Sequence, residues 1–393
     1  MSRGAGRAAL TLVLALHLAL ALAFNARVPL GGAPDEPAHA ACVESLLHGR
    51  LPVWDWPARP EGYEAHQPPL YYAAAALWDL PLRGTHPALQ LRWLRVFSTF
   101  LHLLALLCIW RMARLCLGPG VALAATAAAA ALPMFAFIGA SVSNDALANL
   151  AGSLLLWRWL EERRTPGGKG QALRLGALIG LGLNAKATLA APALCVFVER
   201  VWAWRREGGT KAALARAALL GAAALVLCLP LFARNLTLYG DLWGLARTAL
   251  YDPQRFGWAR LPEWCVLFFQ SFWGRFGWMT NPLPGWSYLL LLALSALALA
   301  GFVKERRRML SGDAGVLLLF FGGVLAQTFC YGFLRSFQPQ ARFSFVALGA
   351  WAVLFVMGLE AWGEALPPAA RRAVGVLLAL GALGLDLLAL RAL

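Results

Sequence analysis

Two carboxylates stand side by side near the start of the chain, in Ala33-Pro34-Asp35-Glu36-Pro37-Ala38-His39. Acids placed in this way can accept a proton, orient a hydroxyl nucleophile or bind a metal ion. The flanking prolines and the acidic first turn mark a helix start. The structural alternative is that Asp35 caps that helix and Glu36 offsets its dipole. A further acid, Asp145, follows Asn144 in Ser141-Val142-Ser143-Asn144-Asp145. It can serve as a second ligand, position an acceptor, or cap the helix that follows. Asp35 and Asp145 are therefore the residues to which a divalent metal ion would fall.

The basic residues that could answer these acids are Lys186, Arg234, Arg335 and Arg342, each beside an apolar run. Arginine forks and lysine point charges at a membrane face match a phosphate or pyrophosphate headgroup. The alternative is snorkelling to lipid phosphates. Lys186, in the short turn Asn184-Ala185-Lys186-Ala187-Thr188, lies near bilayer depth and needs an anionic partner. His66, in Ala65-His66-Gln67-Pro68-Pro69, could bind a metal or phosphate, although a lone histidine is more often structural.

The elements that must position these groups are membrane helices. Of 393 residues, 60% are hydrophobic and 14% charged, with mean hydropathy +0.61, whereas a soluble domain carries about a quarter charged residues. Apolar runs near 8–28, 93–113, 120–140, 146–160, 172–185, 188–204, 213–233, 286–303, 314–333, 343–360 and 373–391 predict about eleven spans in an all-α polytopic membrane protein. The first run is read as a retained helix, not a signal peptide. The net charge of +15 is topology signal, since no soluble basic domain is present to bind nucleic acid. The clusters Glu161–Arg164, Arg205-Arg206 and Lys304–Arg308 fall on one side if the spans alternate, which predicts a cytoplasmic N-terminus and puts Asp35, Glu36 and His66 outside, with Asp145 at a second outer site.

Residues 29–92 then form a long first outer loop and 234–285 a second, within a single membrane domain of residues 1–393. In the first, 38–47 reads as an amphipathic helix lying on the membrane. Trp54, Trp56, Tyr63, Tyr71, Tyr72 and Trp78 read as an interfacial aromatic belt. In the second, the aromatic, glycine-rich stretch from Ser271 to Trp278 reads as interfacial or re-entrant. The seven cysteines form no CxxC pair and read as small packing residues. Nucleotide-binding and zinc-protease motifs have no credible match, which suits an activated lipid substrate.

On Asp35-Glu36, His66-Gln67-Pro68-Pro69-Leu70-Tyr71-Tyr72 and Ser143-Asn144-Asp145-Ala146-Leu147, the chain resembles the GT-C superfamily of membrane glycosyltransferases, which take polyprenyl-phosphate sugars as donors. More narrowly it resembles the bacterial family catalogued as domain of unknown function 2142. That match rests on Asn184-Ala185-Lys186, Arg234-Asn235, Tyr239-Gly240-Asp241, Phe272 to Trp278, and Gln338 to Phe343. The resemblance implies that Asp35 acts as base or acceptor-orienting group, that Asp145 is the second-loop acid, and that Lys186 and Arg342 contact the donor phosphate. The family's late motif reads Gln-Gly-Arg-Tyr; here Gln340-Ala341-Arg342-Phe343 keeps the arginine and lacks the tyrosine hydroxyl.

The expected activity is sugar transfer from a polyprenyl-phosphate donor to a lipid-linked, glycan or protein acceptor on the outer face of a bacterial inner membrane. Asp35 and Glu36 are the catalytic candidates, Asp145 and Asn144 face the acceptor, and Lys186, Arg342, Arg335, Arg234 and His66 face the donor phosphate. Two other readings use the same residues: a transporter or flippase of lipid-linked saccharides, and a non-catalytic protein of envelope assembly.

Overall fold

The computed structural model describes residues 3–54, 60–165, 168–244, 257–363 and 367–393. Trp56 and residues 245–256 of the long stretch 234–285 lie outside the described residues. Alanine- and leucine-rich runs give long helices, the conformation in which a segment satisfies its own backbone groups inside a membrane. In chain order the long ones are α1 (Arg3–Arg27), α2 (Glu36–Leu47), α3 (Leu70–Asp79), α4 (Pro87–Cys116), α5 (Pro119–Ala130), α6 (Pro133–Gly139), α7 (Asp145–Glu162), α8 (Lys169–Ala185), α9 (Ala190–Tyr239) and α10 (Leu261–Trp273). They continue with α11 (Gly285–Lys304), α12 (Arg306–Met309), α13 (Gly312–Phe329), α14 (Leu348–Gly363) and α15 (Pro368–Arg391).

Among the described residues, seven helices are long and apolar enough to cross a membrane, or eight if α5 and α6 form one span. The eleven expected spans are not reached by that measure, and the shortfall has local causes. Helix α9 holds two expected spans in one 50-residue element, turned at Gly209, whose φ of 77° suits only glycine without strain. Helices α7 and α8 have 18 and 17 residues, and Asp145, Arg158, Glu161 and Glu162 load α7 with charge. The expected span near 120–140 is broken: α5 and α6 meet at 63°. Pro133 enforces the break, because it lacks an N–H and clashes with the preceding turn. The bend delivers the fully buried α6 and, after it, the loop 140–144 into the protein interior, the one place where non-helical backbone is tolerated at such depth.

The long first loop packs against the helices. Helix α2 buries Glu36, Ala38, His39, Cys42, Val43 and Leu47, so the buried face of the amphipathic helix expected at 38–47 packs on protein, while Glu44 on the opposite face stays exposed. Trp54, Tyr71 and Tyr72 are buried with Phe97, Leu101 and Tyr239 in a separate apolar core. They are therefore not an interfacial belt: each finds protein, not headgroups, around its ring. Beyond α10, Arg275–Phe276 and Asn281–Pro282 pair as a small antiparallel ribbon. Phe272, Trp273 and Phe276 of the stretch expected to be interfacial join the main core, whereas Trp278 remains exposed.

The helix ends sort into two sets. At one, Arg163 pairs with Glu199 at 2.9 Å and Asp313 at 2.8 Å, and Arg174 with Glu162 at 3.0 Å, which joins α7, α8, α9 and α13. At the other end of α7 lies Asp145, roughly 27 Å away for an 18-residue helix. The candidate residues gather there.

Candidate active site

Asp35 is the residue that precedes α2, and its φ of 62° is left-handed, a conformation that a non-glycine side chain seldom adopts. Its side chain makes no capping bond, which disposes of the simple cap reading. One carboxylate oxygen instead accepts from the Tyr63 hydroxyl at 2.8 Å, and the other accepts from Nη2 of Arg342. Burial alone would raise the Asp35 carboxyl. The Arg342 charge and the bonds from Arg342 and Tyr63 outweigh it and hold the group down to about 2.

Asp145 opens α7 and is 2% exposed. Lys186 Nζ donates to its Oδ1 at 2.6 Å, which supplies the anionic partner that the lysine's depth required. Arg342 Nη1 and the Ser143 hydroxyl, each at 3.3 Å, donate to Oδ2. One guanidinium thus joins two acids 110 positions apart in sequence, and its Nε is held by the Gln340 side chain at 2.7 Å. Lys186 ends α8 in an extended conformation, and its ammonium lies 5.3 Å from the centre of the Phe343 ring. The Phe343 ring therefore offers its π face to the lysine.

Glu36 turns the other way. Its two oxygens accept from Arg95 at 2.8 and 2.6 Å, from Gly31 N at 3.0 Å and from Val142 N at 3.1 Å. Glu36 and Arg95 are both inaccessible to solvent. Arg95 also donates to the carbonyls of Asn25, Val28 and Pro29. The pair fastens α2 to α1, α4 and the loop before α7, one residue away from Asp35.

Arg234, expected at a phosphate, is taken by the chain itself: it donates to the carbonyls of Pro52 and Ala65, both at 2.6 Å, and to Asn235 and Tyr239. His66 is buried, bonds to the Tyr63 carbonyl at 2.9 Å and packs edge-on to Trp54, so its place is structural. Burial lowers it to about 4, which leaves it neutral. Arg335 is exposed at the end of the one-turn π segment Cys330–Arg335. Asn144 is buried beside the Gln67 amide at 3.4 Å, and its own carbonyl oxygen has no protein partner.

The structure adds residues that sequence reasoning passed over. His39 lies one helical turn after Asp35, and its Nδ1 meets the Tyr72 hydroxyl at 2.8 Å; burial lowers it to about 3. Glu64 is nine-tenths buried beside this cluster. Burial and then the Asp35 charge push it up to about 7, against Lys186 and Arg342. The i,i+4 spacing of Asp35 and His39 was a legible signal. Glu64 and Tyr63 lie in the short 3₁₀ segment Pro60–His66, which has no periodic apolar pattern, and had none.

A divalent metal ion fits this arrangement poorly. All four oxygens of Asp35 and Asp145 already accept hydrogen bonds, three of the donors being atoms of Arg342 and Lys186. Among the described residues, no group of three or more His, Cys, Asp or Glu side chains is gathered as a metal site.

The fold, a helical bundle with one broken span and two acids gathered at one end, is that of the GT-C membrane enzymes. Solved structures of that class superpose on nearly the whole chain. They include the archaeal oligosaccharyltransferase AglB from Archaeoglobus fulgidus in complex with an inhibitory peptide and a dolichol-phosphate, at TM-score 0.62, 16% identity and coverage of 97% of this chain and 55% of that one. The same enzyme in complex with Zn and sulfate gives 0.60, 16%, 97% and 52%. ArnT from Cupriavidus metallidurans bound to undecaprenyl phosphate gives 0.56, 17%, 90% and 61%. The chain thus spans between half and two thirds of the length of these structures. Residues 87–233 match the family model of dolichyl-phosphate-mannose-protein mannosyltransferases, a stretch that includes Asp145 and Lys186 but neither Asp35 nor Arg342. No curated protein matches the sequence.

Proposed function

We propose that the chain is a membrane glycosyltransferase that moves a sugar from a polyprenyl-phosphate donor to a hydroxyl-bearing lipid-linked, glycan or protein acceptor. The observation that carries this reading is the Asp35–Arg342–Asp145–Lys186 chain of alternating charges, inside a fold whose solved examples are described with dolichol-phosphate or undecaprenyl phosphate. Lys186 keeps two ammonium hydrogens and Arg342 two guanidinium hydrogens beyond those bonded to Asp35, Asp145 and Gln340, enough to grip a phosphate.

In the proposed step the acceptor oxygen bonds to the sugar's anomeric carbon as the bond from that carbon to the phosphate oxygen breaks. The acceptor proton passes to Asp35, which is ionised at neutral pH, and the charge released on polyprenyl phosphate is met by Lys186 and Arg342. Asp145 orients both cations, and Glu36 positions Asp35 without touching substrate. The narrower kinship with the domain of unknown function 2142, the bacterial inner membrane, the cytoplasmic N-terminus and the outward-facing site belong to the same proposal.

The test is transfer from labelled polyprenyl-phosphate sugars by purified protein in lipid, wild type beside Asp35→Asn, with donor binding recorded for both. Transfer lost at least a hundredfold with binding kept is the expected result. Donor binding without transfer in either protein, across a panel of sugars and acceptors, would favour transport of the lipid-linked saccharide instead.

A further inference from the structure

The two acids of the site meet an arginine where a metal ion would be expected. One structural neighbour is described with Zn, and two carboxylates brought to one place are the donor type that hard divalent cations take. Here the space between them is filled from the protein. Arg342 Nη2 donates to Asp35 and Nη1 to Asp145, and Gln340 accepts from Nε at 2.7 Å, so three of the guanidinium's N–H groups are fixed by the protein. The side chain of Arg342 is 3% exposed and that of Asp145 also 3%, so neither swings out to solvent.

Charge closes the argument. Asp35 and Asp145 contribute two negative charges, and Arg342 and Lys186 contribute the two positive charges that a divalent ion would bring. A dication added to this set would be buried beside two fixed cations, and a desolvated charge without a partner costs several kcal/mol.

We propose that Arg342 stands in for a divalent metal ion between Asp35 and Asp145, so that sugar transfer at this site is independent of metal. The inference rests on the glycosyltransferase reading for its activity arm and on geometry alone for its binding arm. Arg342 then has two roles: it fixes the spacing of the two acids, and its remaining N–H groups meet the leaving phosphate.

The experiment uses the full chain in lipid nanodiscs, stripped with chelator, and reads two quantities. One is transfer from labelled donor in EDTA against transfer with added Mg²⁺ or Mn²⁺. The other is Mn²⁺ binding followed by electron paramagnetic resonance, with Mn²⁺ itself as the probe. The wild type is expected to transfer within twofold of the same rate in both media and to bind no Mn²⁺ that Asp35→Asn removes. Arg342→Ala, which vacates the space, is expected to lose transfer at least a hundredfold and to gain a Mn²⁺ signal that a second change, Asp145→Asn, abolishes. If Arg342→Ala does not fold, the wild-type measurements decide alone. Transfer that falls more than tenfold in EDTA and returns with metal overturns the proposal, as does wild-type Mn²⁺ binding that depends on Asp35. Absence of transfer in every medium instead counts against the glycosyltransferase reading, and the Mn²⁺ measurement still decides this one.

Discussion

Asp145 shares its two oxygens between two buried cations, and this makes it the residue on which the site's stability depends. Removing one member of a buried pair leaves an uncompensated charge, at a cost of about 3–5 kcal/mol. Asp145→Asn is therefore expected to lower thermal stability in lipid, and Lys186→Met placed on top of it to recover part of the loss. A double variant no more stable than Asp145→Asn alone would mean that Lys186 is already hydrated. Glu64 gives a pH prediction of known sign. Its folded pKa of about 7 stands above the ordinary glutamate value of 4.5, so the folded state holds the proton longer and the wild type loses stability as pH rises through that window. The loss is complete above about 7 and amounts to about 3 kcal/mol at most. Glu64→Gln is expected to match the wild type near pH 4.5 and to exceed it in melting temperature at pH 8; equal melting curves at pH 8 would remove Glu64 from the buried cluster. At this scale the sequence was partly legible. Asp35, Asp145, Lys186 and Arg342 stand out as polar residues at the ends of apolar runs. Arg234 stands out equally, but its role depends on which carbonyls the fold brings within reach, and no local pattern encodes that.

Elements rather than residues decide where Asp35 points. The Glu36–Arg95 pair ties the start of α2 to α1, α4 and the backbone of Val142, and so holds Asp35 in its left-handed conformation. Such strain persists only where the surroundings over-determine it. Glu36→Gln keeps the shape and weakens the charge, so donor binding is expected to fall by about tenfold with the fold retained, while Arg95→Ala is expected not to accumulate as folded protein. Transfer and binding unaffected by Glu36→Gln would make the pair merely structural. Far from the site, Gly301 of α11 and Gly358 of α14 let two backbones touch: a methyl group on Gly301 would strike the Gly358 carbonyl, and one on Gly358 that of Ala298. Close approach through small residues is a common device of membrane helix pairs. Gly301→Ala should cost about 1–3 kcal/mol in thermal stability with transfer retained at low temperature. Helix existence was readable from composition, since twenty apolar residues have few other uses. The break at Pro133 and the burial of α2 were not: the first needs tertiary cover for freed backbone, and the second turns a half-apolar helix inward because Glu36 and His39 find partners there.

For the whole molecule, the remaining question is which end faces the cell exterior. The site end carries Asp35, Asp145, Lys186 and Arg342, and the opposite end carries the ion pairs among Arg163, Arg174, Glu162, Glu199 and Asp313. The exposed basic stretch Arg306–Arg308 follows α11 on the side away from the ribbon 275–282. Basic residues are retained on the cytoplasmic side because translocating them is unfavourable, so the site is expected outside. The same expectation can be read from the sequence alone, because a charge bias survives errors of a few residues in every span boundary. Two single cysteines can test it. With Cys265 and Cys330, the exposed native thiols, replaced by serine, Glu263→Cys reports on the start of α10 and Lys211→Cys on the turn within α9, both at exposed positions. A membrane-impermeant maleimide added to intact cells is expected to label the first and to reach the second only after permeabilisation. The reverse pattern would put the acids and their arginine in the cytoplasm, where nucleotide sugars are at hand, and would remove the main reason for a lipid-linked donor. Labelling of both from outside would instead mean that α9 does not cross twice, and that its turn at Gly209 lies on the same side as the site.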